Sequence, residues 1–75
     1  MARTDRLLRG LLRERFVVTL RNGAAFDGLL MDADDKTIRL ADASGIDGRN
    51  RVKVDGEMFL PRTEVVYMQK PQVSA

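Results

Sequence analysis

The sequence lacks cysteine, histidine and tryptophan, and its 75 residues include only three phenylalanines and one tyrosine. A disulfide is therefore excluded, and a structural zinc site is not expected. A domain near this size buries only about 60% of the surface that its unfolded chain exposes, and few aromatic side chains are present to fill the core. We therefore expect the chain to gain stability by assembling with copies of itself.

Long hydrophobic runs are also absent. Apolar runs such as Leu29-Leu30-Met31 are far shorter than the roughly 20 residues of a membrane helix. The first leucines are interrupted by Arg9 and Arg13, which leaves no apolar signal-peptide segment. Small secreted domains usually contain several cysteines, so we expect a soluble, cytoplasmic protein that does not contact a membrane.

The polar residues do not indicate an enzyme. Without histidine or cysteine, general acid–base catalysis would depend on carboxylates. Asp32, Asp34 and Asp35 could suggest a Mg²⁺ site, but acids at a turn usually face water, and we interpret them as a hairpin tip. We expect no catalytic residue, no metal, no cofactor and no small-molecule substrate.

The N-terminal segment has helical periodicity. Thr4 or Asp5 can cap a helix that runs to about Arg13. At 100° per residue its leucines share one face and its arginines the opposite face. The leucine face consists of Leu7, Leu8, Leu11 and Leu12, and the basic helix face consists of Arg3, Arg6, Arg9 and Arg13.

From Phe16 the period changes to two, which is typical of strands. Asn22-Gly23 predicts a two-residue hairpin turn between the first strand and a second strand over about 25–32. Gly28, in the middle of that second strand, predicts a bulge or sharp bend.

Three further strands are predicted. The third covers Thr37 to Asp42, and residues 44–48 read as a loop. The fourth runs from about Arg51 to Pro61, and the fifth covers 64–69. The expected fold is mostly β: an N-terminal helix followed by a five-stranded, strongly bent antiparallel SH3-like barrel.

Two sets of residues stand out by their order and spacing. The first consists of Leu20-Arg21-Asn22-Gly23, Gly28, Ala33-Asp34 and Leu40-Ala41-Asp42-Ala43, and the second is the ten residues 59–68. They resemble the first and second Sm motifs, and the resemblance to the Sm-like (LSm/Hfq-type) family extends over about 5–69. The usual Asn falls at Thr37, the usual stacking residue at Lys36, and the usual Arg-Gly is replaced by Pro61-Arg62.

We expect an Sm-like domain over 1–70, and from Pro71 a mobile tail over 71–75. The resemblance implies a homo-oligomeric ring of six or seven subunits. In such a ring the fourth strand of one chain pairs with the fifth strand of the next. An open, apolar terminal strand is a liability that ring closure removes, although its residues could instead complete a monomer's core. The expected interface residues are Val65, Val66, Tyr67 and Met68.

The resemblance also implies binding of single-stranded RNA at the inner rim. By position, Asp34 would orient the site, Lys36 would cover a base or contact phosphate, Thr37 would hydrogen-bond a base edge, and Arg62 would stand for the displaced family arginine. A Thr side chain has one hydroxyl, whereas an Asn amide has both a donor and an acceptor group, so we expect a loose sequence preference. Ordinary turn chemistry and an exposed charge explain the same residues equally well.

Two alternatives remain. The basic helix face would attract a polyanion in a salt-dependent way, or it is simply solvated. Few aromatics are available for base stacking, because the pattern assigns most of Phe16, Phe26, Phe59 and Tyr67 to the core, although Arg62 could stack instead. A structural or adaptor ring that has lost RNA binding is the second hypothesis.

Overall fold

The computed structural model describes residues 9–71. The described part of the chain forms six strands and one short 3-10 turn. The elements are β1 (Arg15–Leu20), β2 (Ala25–Ala33), β3 (Thr37–Asp47), β4 (Asn50–Lys53), β5 (Met58–Pro61), η1 (Arg62–Glu64) and β6 (Val65–Gln69).

All strand pairs are antiparallel, and β3 serves two partners. The main sheet has the order β4-β3-β2-β1-β6, and β5 pairs with β3 off this path. Thr37–Leu40 of β3 pairs with β5, whereas Ser44–Asp47 pairs with β4. Within residues 9–71, β5 therefore has β3 as its only partner, and β6 has only β1.

The predicted bend at Gly28 is confirmed. The pairing of β2 with β3 shifts register between Asp27 and Leu29, where two residues of β3, Asp42 and Ala43, lie opposite Gly28. Asp42 has a positive φ of 50°, as the extra residue of a bulge allows. A Cβ at Gly28 would lie 3.2 Å from the Cβ atoms of both Leu40 and Ala43, so glycine permits the close crossing of the two strands.

The core lies inside the bent sheet and follows the alternation of the strands. Leu11, Leu12, Val65 and Met68 are half-buried and pack against it. Its buried side chains are Phe16, Val18, Leu30, Ile38, Leu40, Ala43 and Leu60.

The hairpin turn between β1 and β2 has three residues, one more than predicted. Leu20 pairs with Ala24 through a 2.8 Å bond from the Leu20 N–H to the Ala24 carbonyl, which leaves Arg21, Asn22 and Gly23 in the turn. Gly23 has a φ of 89°, as in a type I turn closed by a glycine bulge, and the Asn22 Oδ1 accepts the Ala24 N–H at 2.9 Å.

The predicted bent antiparallel sheet is confirmed, but the described residues form six strands instead of five, and the difference lies in the second half of the chain. The third strand continues to Asp47, and the segment predicted as a loop pairs with β4. The turn is confined to Gly48 and Arg49. The predicted fourth strand is divided into β4 and β5, with a bend at Gly56, whose φ is 85°.

Most of the predicted N-terminal helix lies outside the described residues, including Thr4, Asp5 and the leucines at 7 and 8. Arg9 is helical, but residues 10–13 form a turn, so the prediction of helix as far as Arg13 is corrected. Arg13 has a φ of 69°, which a continuing right-handed helix does not allow. Its N–H donates to the Leu30 carbonyl, which ties this turn to β2.

Candidate functional site

The turn between β2 and β3 is organised by Asp34. Its Oδ1 accepts the backbone N–H groups of Lys36 and Thr37, both at 2.8 Å, and its own N–H donates to the Thr37 carbonyl at 2.9 Å. The hydrogen bonds from the Lys36 and Thr37 backbone hold the pKa of Asp34 below its ordinary value, and the nearby charges of Arg62 and Lys36 act in the same direction. Asp34 is therefore an ionised carboxylate that fixes the shape of the turn.

Arg62 joins this turn from a distant part of the sequence. It opens the 3-10 turn η1, and its backbone N–H donates to the Lys36 carbonyl at 2.8 Å. Its guanidinium Nη1 donates to the Asp34 carbonyl. The four predicted site residues, Asp34, Lys36, Thr37 and Arg62, are thus brought into one cluster, here named the loop cluster. Both cations of the loop cluster, Lys36 and Arg62, act electrostatically on the Asp34 carboxylate.

A cleft of about 290 Å³ lies next to the loop cluster. Three of its lining residues, Asp32, Arg39 and Phe59, were not predicted as site residues. They occupy one row across three strands, because Asp32 pairs with Arg39 and Arg39 pairs with Phe59. The other lining residues are Ala33, Asp34 and Thr37.

The assignment of most aromatics to the core is wrong. Phe16 is buried and Phe26 is half-buried, but Phe59 is 63% exposed and Tyr67 is 51% exposed. The alternation of β5 contained the signal, since Phe59 lies between the inward-facing Met58 and Leu60.

The architecture has close counterparts among solved structures. No protein-family profile and no curated protein matches the chain. The Pyrobaculum aerophilum SmAP1 heptamer superposes with a TM-score of 0.84 at 23% identity, covering 97% of this chain and 99% of that chain. The chain has the Sm-like fold. The resemblance inferred from the two sequence motifs is thereby confirmed.

Two further solved structures are similar in fold to this chain. The Sm protein of Pyrococcus abyssii, solved in complex with a uridine heptamer, has a TM-score of 0.80 at 25% identity, covering 95% of this chain and all of that chain. A chain in the crystal structure of the NatC complex bound to CoA has a TM-score of 0.76 at 18% identity, covering 87% and 84%.

The predicted interface residues of the Sm-like fold divide into two pairs. Val65 and Met68 are half-buried and pack against the chain's own core, as expected for residues that complete a monomer. Val66 and Tyr67 are 55% and 51% exposed on the open β6. Their role in assembly remains a prediction.

The basic helix face is only partly within the described residues. Arg9 and Arg13 are both exposed, whereas Arg3 and Arg6 lie outside the part of the chain that the structure describes. The predicted tail begins at Pro71, which is half-buried. Its remaining residues, 72–75, lie outside the described residues.

An ionic network crosses the outer face of the sheet. Asp27 accepts from Arg15 and from Arg51, the latter at 2.6 Å, and Asp42 accepts from Arg15 at 2.7 Å and from Lys53. The hydrogen bond to Asp27 raises the pKa of Arg15, and the hydrogen bond from Lys53 lowers the pKa of Asp42. The network connects β1, β2, β3 and β4.

The described residues contain neither a metal-binding cluster nor a membrane-spanning helix. Among residues 9–71, no group of three or more Asp and Glu side chains is arranged to hold a metal ion. The same residues include no helix with the length and hydropathy required to cross a membrane.

Proposed function

We propose that the chain assembles into a ring of identical subunits and binds single-stranded RNA at the loop cluster. The contact between Arg62 and the β2–β3 turn carries this proposal, because it joins Arg62 of the second motif to the turn that contains Lys36 and Thr37 of the first. The solved structures support it. SmAP1 is a heptamer, and the Pyrococcus abyssii protein was solved with a uridine heptamer.

Assembly is supported by the open edges of β5 and β6. The free edge of β5 in one subunit would pair with the free edge of β6 in the next, and a closed ring would leave neither edge exposed. Val66 and Tyr67 would then be covered by the neighbouring subunit. The heptameric state of SmAP1 favours seven subunits over six.

In the proposed complex, each residue of the loop cluster has a separate task. Asp34 holds the turn, and the Lys36 ammonium contacts a phosphate or covers a base. The Thr37 hydroxyl hydrogen-bonds a base edge, and the Arg62 guanidinium offers a flat surface for stacking. With one hydroxyl available for base readout, sequence preference at this position is loose. The basic helix face supplies a second, salt-dependent contact.

The mass of the protein, measured by light scattering, tests assembly and binding together. Short U-rich and A-rich RNAs are added at low and at moderate salt. We expect a ring mass, with RNA co-eluting at moderate salt. Lys36→Ala and Arg62→Ala should each weaken RNA binding by about tenfold, because a stacked or charge-assisted contact contributes ~1–3 kcal/mol.

Arg49→Ala is the matched control, since it removes the same charge from the exposed turn between β3 and β4. It should change RNA affinity by less than about twofold. Equal losses for Arg49→Ala and Arg62→Ala would contradict a specific site at the loop cluster. A monomeric mass would contradict the ring.

A structural or adaptor ring is the second candidate. It is favoured by Thr37 and Pro61, which stand where the Sm motifs have Asn and Arg. The occurrence of this fold in a chain of the NatC complex is compatible with a role in protein assembly. A ring of full mass that binds neither RNA at low salt would favour this candidate.

A further inference from the structure

The cleft beside the loop cluster has the groups that recognise a nucleobase. Its central row consists of Asp32, Arg39 and Phe59, and directly opposed residues on neighbouring strands have Cβ atoms about 5 Å apart. The row therefore places a carboxylate, a guanidinium and an aromatic ring side by side. The volume of about 290 Å³ is of the size that small ligands occupy.

The guanidinium of Arg39 is weakly held. Its Nη1 lies 3.8 Å from the Glu57 carboxylate, which is longer than a hydrogen bond. Its Nε is buried and has no hydrogen-bond partner within the described residues. A buried donor without an acceptor is energetically unfavourable. A ligand with acceptor atoms could therefore be bound by a rotation of the Arg39 side chain that lets its guanidinium donate to the ligand.

The charges in the cleft favour a base over a phosphate. Among the residues that line the cleft, Asp32 and Asp34 are acids and Arg39 is the single base, so the lining itself favours a neutral base with hydrogen-bond donors over a phosphate. Asp32 is exposed, and its Oδ1 already accepts the Ala33 N–H at 2.9 Å, which restrains the carboxylate in one orientation. Each carboxylate oxygen has two acceptor positions, so Asp32 can still accept from a ligand.

We propose that this cleft binds a guanine base of the single-stranded RNA. Guanine presents two adjacent donors, N1–H and the 2-amino group, which match a carboxylate, and two acceptors, O6 and N7, which match a guanidinium. Asp32 and Arg39 supply these partners, and the exposed Phe59 ring supplies a stacking surface. The proposal rests on the proposed function and adds a base preference next to the loop cluster.

The cleft is compatible with the proposed ring. Edge pairing of β5 would use its backbone groups in the plane of the sheet, whereas the Phe59 side chain projects from one face. Ile38 and Leu60, which alternate with Arg39 and Phe59, are buried on the opposite face.

Three oligonucleotides test the proposal by fluorescence anisotropy: a uridine heptamer, the same heptamer with a central guanosine, and one with a central inosine, which lacks the 2-amino group. The wild-type protein should bind the guanosine heptamer about fivefold more tightly than the other two, since one good base contact contributes ~1–3 kcal/mol. Asp32→Asn should abolish this preference. Asp35→Asn, which changes the exposed neighbouring acid outside the cleft, should retain it.

Guanosine monophosphate alone provides an independent readout, since it should shift the NMR amide signals of residues 32–39 in wild type and not in Asp32→Asn. Equal affinity for all three heptamers, without such shifts, overturns the guanine site and leaves the proposed function standing. Failure of every heptamer to bind overturns the proposed function instead. In that case the NMR shifts caused by guanosine monophosphate show whether the cleft binds guanine. A preference that survives Asp32→Asn, in a variant with wild-type thermal stability, also overturns the assignment.

Discussion

Gly28 is the residue at which β2 lies closest to β3. A Cβ there would meet the Leu40 and Ala43 Cβ atoms at 3.2 Å and the Ala41 carbonyl oxygen at 3.4 Å. These atoms belong to buried or strand-bound groups that move only with the backbone. The absence of a side chain at Gly28 therefore permits the close approach of β2 to β3 at the bulge.

Gly28→Ala should lower the free energy of unfolding by about 1–2 kcal/mol, because overpacking at a fixed crossing forces strand displacement. Urea denaturation measures the change. Gly45→Ala is the matched control, since a Cβ at Gly45 would meet the Phe26 ring at an ordinary 3.6 Å, and it should stay within about 0.5 kcal/mol of wild type. Equal effects of the two substitutions would contradict the role given to the Gly28 crossing.

Asp34 should make the stability of the protein depend on pH. Because hydrogen bonds from the Lys36 and Thr37 backbone lower its pKa in the folded state, its contribution is fully present above the ordinary Asp pKa of about 3.9 and is lost as the pH falls through the lowered value. Melting temperatures of wild type and Asp34→Ala should therefore differ at pH 7 and converge at strongly acid pH.

Asp35→Ala is the control for this titration. Asp35 lies in the same turn, but its carboxylate is not the acceptor of the two backbone bonds. Its substitution should leave the melting curve near that of wild type at pH 7. A difference between wild type and Asp34→Ala that stays constant down to pH 2 would exclude the ionised carboxylate as its source.

The site was only partly predictable at the level of residues. Periodicity says nothing about the contact between Arg62 and the Asp34 turn, because the two segments are distant in sequence. That proximity followed from the resemblance to the Sm motifs. The cleft row was missed, since Arg39 and Phe59 become neighbours only through pairing of β3 with β5. Their outward position could be predicted from alternation, but their partners could not.

At the scale of elements, local signals succeeded where pairing is local. The β1–β2 hairpin is confirmed because Asn22-Gly23 marks its turn and alternation continues on both sides. The second half of β3 was predicted as a loop because Ser44, Gly45 and Asp47 have low strand propensity. Pairing with β4 overrides that propensity. The stabilisation of a strand by pairing with another strand cannot be read from the local sequence pattern.

The element β4 depends on the ionic network. All four of its residues are exposed, and within the described chain its backbone pairs only with β3. Asp27, whose side chain is 16% exposed, connects it through Arg51 to Arg15 on β1. Asp27→Asn should therefore cost about 1 kcal/mol of global stability and accelerate hydrogen exchange selectively in β4.

Hydrogen exchange measured by mass spectrometry, with and without added salt, checks this prediction. Salt should reproduce part of the effect in wild type, because exposed ion pairs are screened. Glu57→Gln is the control, since it removes only the 3.8 Å pair with Arg39, and it should leave β4 exchange unchanged. Uniform acceleration over all strands in Asp27→Asn would indicate general destabilisation instead of a local connection.

At the scale of the whole molecule, the small core and the open edges have the same origin. Seven side chains are buried within the described residues, whereas Val66 and Tyr67 remain exposed on the edge strand β6. A chain of this size leaves apolar surface that it cannot cover by itself. This apolar surface would be covered if β6 of each copy paired with β5 of the next copy. A series of such contacts forms a closed ring when the last copy pairs with the first.

Val66→Glu should convert the proposed ring into a folded monomer. Val66 is 55% exposed, so a carboxylate there is solvated in the isolated chain, but it would be desolvated without a partner when a neighbouring β5 covers β6. Light scattering should give the mass of one chain, 8.4 kDa, while circular dichroism retains the β signal. Val52→Glu introduces the same charge at a valine that is 65% exposed on β4, away from the proposed contact between β5 and β6, and should retain the ring mass. A ring that survives Val66→Glu would exclude the β5–β6 contact, and loss of the ring in both variants would attribute assembly to overall charge.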